Sequence, residues 1–121
     1  MRVHNEDIVE KFTTKSLIGD TECEALYLGH IVNFSIQLVF NGNPNGTFKI
    51  QASNDDEEAQ HGDKVSTWTD IVGSSQLINE AGNHMWTVEN SGFAWVRVVW
   101  LDDSSAASAS ITKASFYAKG V

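Results

Sequence analysis

Residues 93–101 read FAWVRVVWL, with one charge, Arg97, and two tryptophans, between turn-forming boundaries at Asn90-Ser91-Gly92 and Asp102-Asp103-Ser104-Ser105. β-Branched and aromatic side chains at this density suit a pleated surface covered on at least one face. The run therefore predicts a buried β-strand.

Such a strand needs partners, and the remaining chain supplies them. Turn signals recur at short intervals, and no helical period is sustained beyond the first dozen residues. Strands are expected near 11–18, 25–28, 33–40, 47–53, 67–72, 85–89, 93–101 and 108–119. Two of them alternate cleanly. Phe34, Ile36, Leu38 and Phe40 share one face while Ser35 and Gln37 take the other, and Phe48, Ile50 and Ala52 oppose Lys49 and Gln51. This is the period of a half-buried antiparallel strand. Between the two runs lies Asn41-Gly42-Asn43-Pro44-Asn45-Gly46, whose proline and small polar residues suit a tight turn, so a hairpin is expected there. Segment 54–64, dense in Asp55, Asp56, Glu57, Glu58 and Asp63, reads as a solvated loop. Segment 73–82 is polar around Leu77 and Ile78 and has room for a short edge strand. About eight short strands at these spacings predict an all-β fold, an antiparallel two-sheet sandwich of jelly-roll-like form.

The chain has 121 residues and a mass of 13.3 kDa, enough for one domain with a core of its own. That domain is expected over 11–121, behind a loose polar N-terminal arm, 1–10. Eight Lys and Arg face 16 Asp and Glu, and the net charge of −8 argues against binding to nucleic acid or to anionic membrane through counterion release. Cys23 stands alone, which excludes an intrachain disulfide and fits assembly in a reducing cytosol. His4, Asn5, Glu6, Asp7 and Glu10 occupy the place where a signal peptide needs an apolar run, and no segment approaches the ~18–20 apolar residues of a membrane span. Synthesis in the cytoplasm without a signal peptide is the expectation.

Catalytic and metal chemistry find little support. Asp55-Asp56-Glu57-Glu58 offers oxygen ligands for Ca²⁺, but lacks the spacing that wraps them around one ion, so a solvated loop is the better reading. His4, His30, His61 and His84 are scattered, and Cys23 has no second thiol with which to build a zinc site. No elbow motif orders a Ser, His and Asp into a triad. No enzyme, metal or cofactor is expected.

Trp68, Trp86, Trp95 and Trp100 are the remaining candidates, as a stacking platform for a sugar or as a patch for a protein partner. Plain core packing is the competing reading. Trp95 and Trp100, five positions apart on one strand, point to opposite faces: one fills the core and the other meets a second environment. Arg97 shares the face of Trp95 and Val99, where it needs a carboxylate or carbonyl partner. These five residues form the candidate interface or ligand set.

The succession Gly46-Thr47-Phe48-Lys49-Ile50-Gln51-Ala52-Ser53-Asn54-Asp55, then Trp68-Thr69-Asp70-Ile71 with Gly73-Ser74-Ser75, then Asn90-Ser91-Gly92-Phe93-Ala94-Trp95-Val96-Arg97-Val98-Val99-Trp100, and a last strand ending Lys119-Gly120, resembles small β-sandwich virion-associated proteins of tailed bacteriophages and prophages. The resemblance covers about 33–120. It departs where a glycine-bearing turn is expected before the last strand and Asp102-Asp103-Ser104-Ser105-Ala106-Ala107-Ser108-Ala109 stands instead. It implies a structural or accessory virion protein, such as a capsid decoration or tail-associated component. Other virion proteins and further copies of the chain, a trimer as first guess, would be its partners. The alternative is a carbohydrate-binding sandwich that adheres to surface glycans, with Trp68 or Trp86 as platform.

Overall fold

A computed structural model describes residues 2–7, 17, 19–23, 25–28, 31–55, 61, 64–89, 92–103 and 108–120. Ten strands, and no helix of regular length, are found among them: β1 (Arg2–Asp7), β2 (Thr21–Glu22), β3 (Leu26–Tyr27), β4 (Ile31–Gly42), β5 (Gly46–Ser53), β6 (Thr69–Asp70), β7 (Gln76–Ile78), β8 (Gly82–Val88), β9 (Trp95–Asp102) and β10 (Ala109–Gly120). All pairings are antiparallel.

The strands form two sheets, ordered β1-β10-β4-β8 and β2-β9-β5-β6, with β3 also on β9 and β7 also on β5. The short strands β2 and β3 meet opposite ends of β9, and β6 and β7 meet opposite ends of β5, so each pair acts as one interrupted strand. Eight strand positions result, each sheet drawing alternately on both halves of the chain. This is the strand order of a jelly-roll-like double Greek key.

The core is where the alternating runs meet. Phe34, Ile36, Leu38 and Phe40 of β4, with Ala114 and Phe116 of β10, face Phe48 and Ile50 of β5 and Val96, Val98 and Trp100 of β9 across the sandwich. Phe48 is the aromatic hub, with ring centroids 4.6 Å from Trp100, 5.6 Å from Phe40 and 5.9 Å from Trp86. Burying side chains of this size contributes about 1.5–3 kcal/mol each.

Two sequence expectations are corrected. The turn after β4 is not a hairpin: β4 and β5 lie in different sheets, and Asn43–Asn45 forms an arch between them. Both apolar faces point into one core, which a hairpin within a single sheet would also allow. Docking of the arch decides the matter, since the Asn43 amide donates to the Ser108 carbonyl at 2.6 Å and the Asp103 amide to the Asn45 carbonyl at 2.9 Å. Gly42 enters the arch at φ +78°, with the Ser108 carbonyl against the space where a Cβ would stand. The N-terminal stretch also differs from the loose arm expected of it. Arg2–Asp7 pairs along β10 from Arg2↔Gly120 to Asp7↔Ser115, because backbone hydrogen bonds to an exposed strand edge need no apolar side chains. The strand expected at 11–18 falls almost wholly outside the described residues.

Candidate functional site

Of the five candidate residues, Trp100 of β9 and Trp86 of β8 point into the core from the two sheets, and the other three lie on the outer side of the six-stranded sheet. Trp100 points into the core, fully buried, and its indole Nε1 donates to the Leu17 carbonyl at 3.0 Å. Trp86 is also in the core, where its Nε1 donates to the Ser74 carbonyl at 2.7 Å. Neither offers a free ring face, so Trp86 is no platform for a sugar. Trp95, Arg97 and Trp68 lie on the outer face, the last two in contact.

On that face the register sets the geometry. Arg97 of β9 lies opposite Gln51 of β5, and Gln51 lies opposite Asp70 of β6. Arg97 Nε donates to Gln51 Oε1 at 2.9 Å, and Gln51 Nε2 donates to Asp70 Oδ1 at 2.8 Å. Lys49 Nζ reaches the other Asp70 oxygen at 3.0 Å, while an Arg97 terminal nitrogen is 3.4 Å from Glu22 on β2. Trp68 caps the row, with the guanidinium carbon of Arg97 4.3 Å from its ring centroid. The Gln51 amide and the Lys49 ammonium hold the Asp70 carboxyl below the usual carboxylate range.

This row, Glu22–Arg97–Gln51–Asp70–Lys49, spans four strands and balances two cations with two anions. Its charges pair across the strands while the Glu22 and Asp70 carboxylates stay about half exposed. The outward side chains Lys49 and Gln51 were visible in the alternation of β5. Glu22 was not, because a two-residue strand leaves no period to read.

At one corner Trp95 is buried against Tyr27, ring centroids 5.0 Å apart, with no hydrogen-bond partner for its Nε1 among the described residues. At the opposite end Leu77 and Leu101 flank Thr47 in one row, both exposed. Beside the outer face a groove of ≈580 Å³ opens, lined by Asn54, Asp55, Thr67, Thr69, Asp70 and Phe93 among others. Asp55 Oδ2 accepts the Thr67 and Ser66 amides at 3.0 and 2.7 Å, which lowers its pKa. Cys23 Sγ accepts the Val98 amide at 3.1 Å, and burial pushes its thiol up to about 11, which removes it as a nucleophile near neutral pH. No group of three metal-ligating side chains occurs among the described residues, and no helix is long and apolar enough to cross a membrane.

No family model matches the chain, and no curated protein matches it significantly. Solved structures do. The SPBc2 prophage-derived protein YomS superposes with a TM-score of 0.58 at 13% identity, covering 98% of this chain and 96% of YomS. The Tobacco streak virus coat protein dimer gives 0.50 at 10% identity, covering 98% and 84%. PirA gives 0.47 at 13% identity, covering 97% and 93%. The first two define the class: a two-sheet sandwich of a fold found in a prophage protein and in a viral coat protein.

Proposed function

We propose that the chain is a structural or accessory component of a bacteriophage particle, attached to capsid or tail, that acts by assembly with other virion proteins and with copies of itself. The supporting observation is the correspondence with YomS over 98% of this chain and 96% of that one. The outer face agrees with it. A row of paired charges across four strands offers a patterned polar surface of the kind that a macromolecular partner meets. In this reading the protein is no enzyme, carries no cofactor and resides in the virion.

The test is to purify particles of the phage or prophage that encodes the chain on a density gradient and probe the fractions with an antibody. Co-banding with particles supports the reading. Confinement to the soluble fractions overturns it.

One observation favours a second reading, glycan binding. The groove beside Thr67 and Thr69 combines hydroxyls, an amide and carboxylates with the ring of Phe93, a lining suited to sugar hydroxyls and a sugar face. The platform would then be Phe93, since neither Trp68 nor Trp86 lines it. Calorimetric titration with polysaccharides separates the readings: saturable heat that Thr69→Val abolishes supports the glycan site, and no heat removes it.

A further inference from the structure

Edge strands expose unpaired backbone groups, and proteins guard them by shortness, charge, proline or bulges. Three of the four edge positions here are guarded. The edge beside β9 is broken into β2 and β3, of two residues each, and the edge beside β5 into β6 and β7, of two and three. Strand β1 carries Arg2, Glu6 and Asp7 in six residues.

Strand β8 is different. It runs seven residues, Gly82-Asn83-His84-Met85-Trp86-Thr87-Val88, with no carboxylate, lysine, arginine or proline. It pairs with β4 on one side only, and among the described residues no further backbone hydrogen bond reaches it. Asn83, Met85 and Thr87 are exposed, Met85 by 51%.

We infer that β8 is a docking edge for a second copy of this chain, the two β8 strands pairing antiparallel about a two-fold axis at Met85. The inference rests on the assembly reading above and names the surface it uses. The occupant follows from charge and symmetry. In a chain of net charge −8, an edge that carries no acidic group over seven residues lets two copies pair along it without carboxylates in the paired strands. An antiparallel edge is also self-complementary in its hydrogen bonds, as an isologous contact requires. A centre at Met85 uses the whole strand: Met85 meets its own copy, Asn83 meets Thr87, His84 meets Trp86 and Gly82 meets Val88. The two four-stranded sheets become one continuous eight-stranded sheet.

Light scattering after size exclusion at ~100 µM, with hydrogen exchange at β8, tests this. The wild type is expected at twice 13.3 kDa, with amides of 82–88 protected more strongly at high than at low concentration. Asn83→Lys with Thr87→Lys places like charges opposite each other and should return the mass to one chain with an unchanged circular dichroism spectrum. Asn83→Lys with Thr87→Glu makes the same positions attractive and should restore the dimer, because residue 83 faces residue 87 only in this register. A monomeric wild type overturns the inference. So does a dimer that survives the double lysine variant, or one that the Lys/Glu pair fails to restore. These outcomes are independent of co-banding with particles, so a monomer that still co-bands removes the edge pairing and leaves the virion reading intact.

Discussion

Two tryptophans on one strand show how much a single hydrogen bond decides. Trp95 and Trp100 are both buried, yet among the described residues only Trp100 has a partner for its indole N–H. Trp100→Phe loses ring volume and leaves the Leu17 carbonyl unpaired, whereas Trp95→Phe removes a donor that has nothing to bond. The first variant should therefore be less stable than the second by at least about 1 kcal/mol in urea denaturation. Glycines give a second contrast. Gly42 and Gly73 both have positive φ, but a Cβ at Gly73 meets open space while one at Gly42 meets the Ser108 backbone. Gly73→Ala should cost about 1–2 kcal/mol for the left-handed conformation alone. Gly42→Ala should cost more, because Ser108 is held by the arch and cannot withdraw freely. Equal midpoints for the two variants would show that the arch yields.

At the scale of the strand, the row across the outer face makes a graded prediction. Arg97 ties β2, β5 and the Trp68 segment to β9, so Arg97→Met should lower stability by about 1–3 kcal/mol through lost charge-assisted hydrogen bonds. Glu22, half exposed, supplies only a longer contact, and Glu22→Gln should change stability by less than about 1 kcal/mol. Thermal melts of the two variants check the ranking. Long strands were readable because their side chains alternate over many residues: 33–40 and 47–53 fall within β4 and β5, and 93–101 nearly coincides with β9. The Arg97 partner was legible too, since a guanidinium within an apolar strand requires an acceptor. Among the short strands, β3, β6 and β7 fall within the expected 25–28, 67–72 and 73–82, whereas β1 and β2 were not legible. Arg2–Asp7 has no apolar period, and only its pairing with β10 makes it a strand. The arch was misread for a related reason: turn residues report that the chain reverses, while the choice between pairing and crossing depends on what docks against the turn.

For the whole molecule, acid is the expected weakness. Asp55 and Asp70 have folded-state pKa values below the ordinary range, held by the Thr67 and Ser66 amides and by Gln51 and Lys49. A depressed carboxylate pKa contributes stability that is present above the unfolded value and lost as pH falls through the folded one. His84, whose pKa is lowered by burial, acts in the same direction at higher pH, since the unfolded chain takes up a proton that the folded one resists. Melting temperature should fall in two stages, first below about pH 6.5 and again below about pH 4. His84→Gln should flatten the first stage and Asp70→Asn part of the second. A melting temperature constant from pH 7 to 5 in the wild type would remove the role given to His84. The sheet order carries a further consequence, for the time course of folding. Strand β10, synthesised after both, lies between β1 and β4, so β1 has no place to settle until β10 has arrived. Until then β4 and β9 expose long apolar faces, and the fold must form late and all at once, at the slow millisecond-to-second rates of chains dominated by distant pairings.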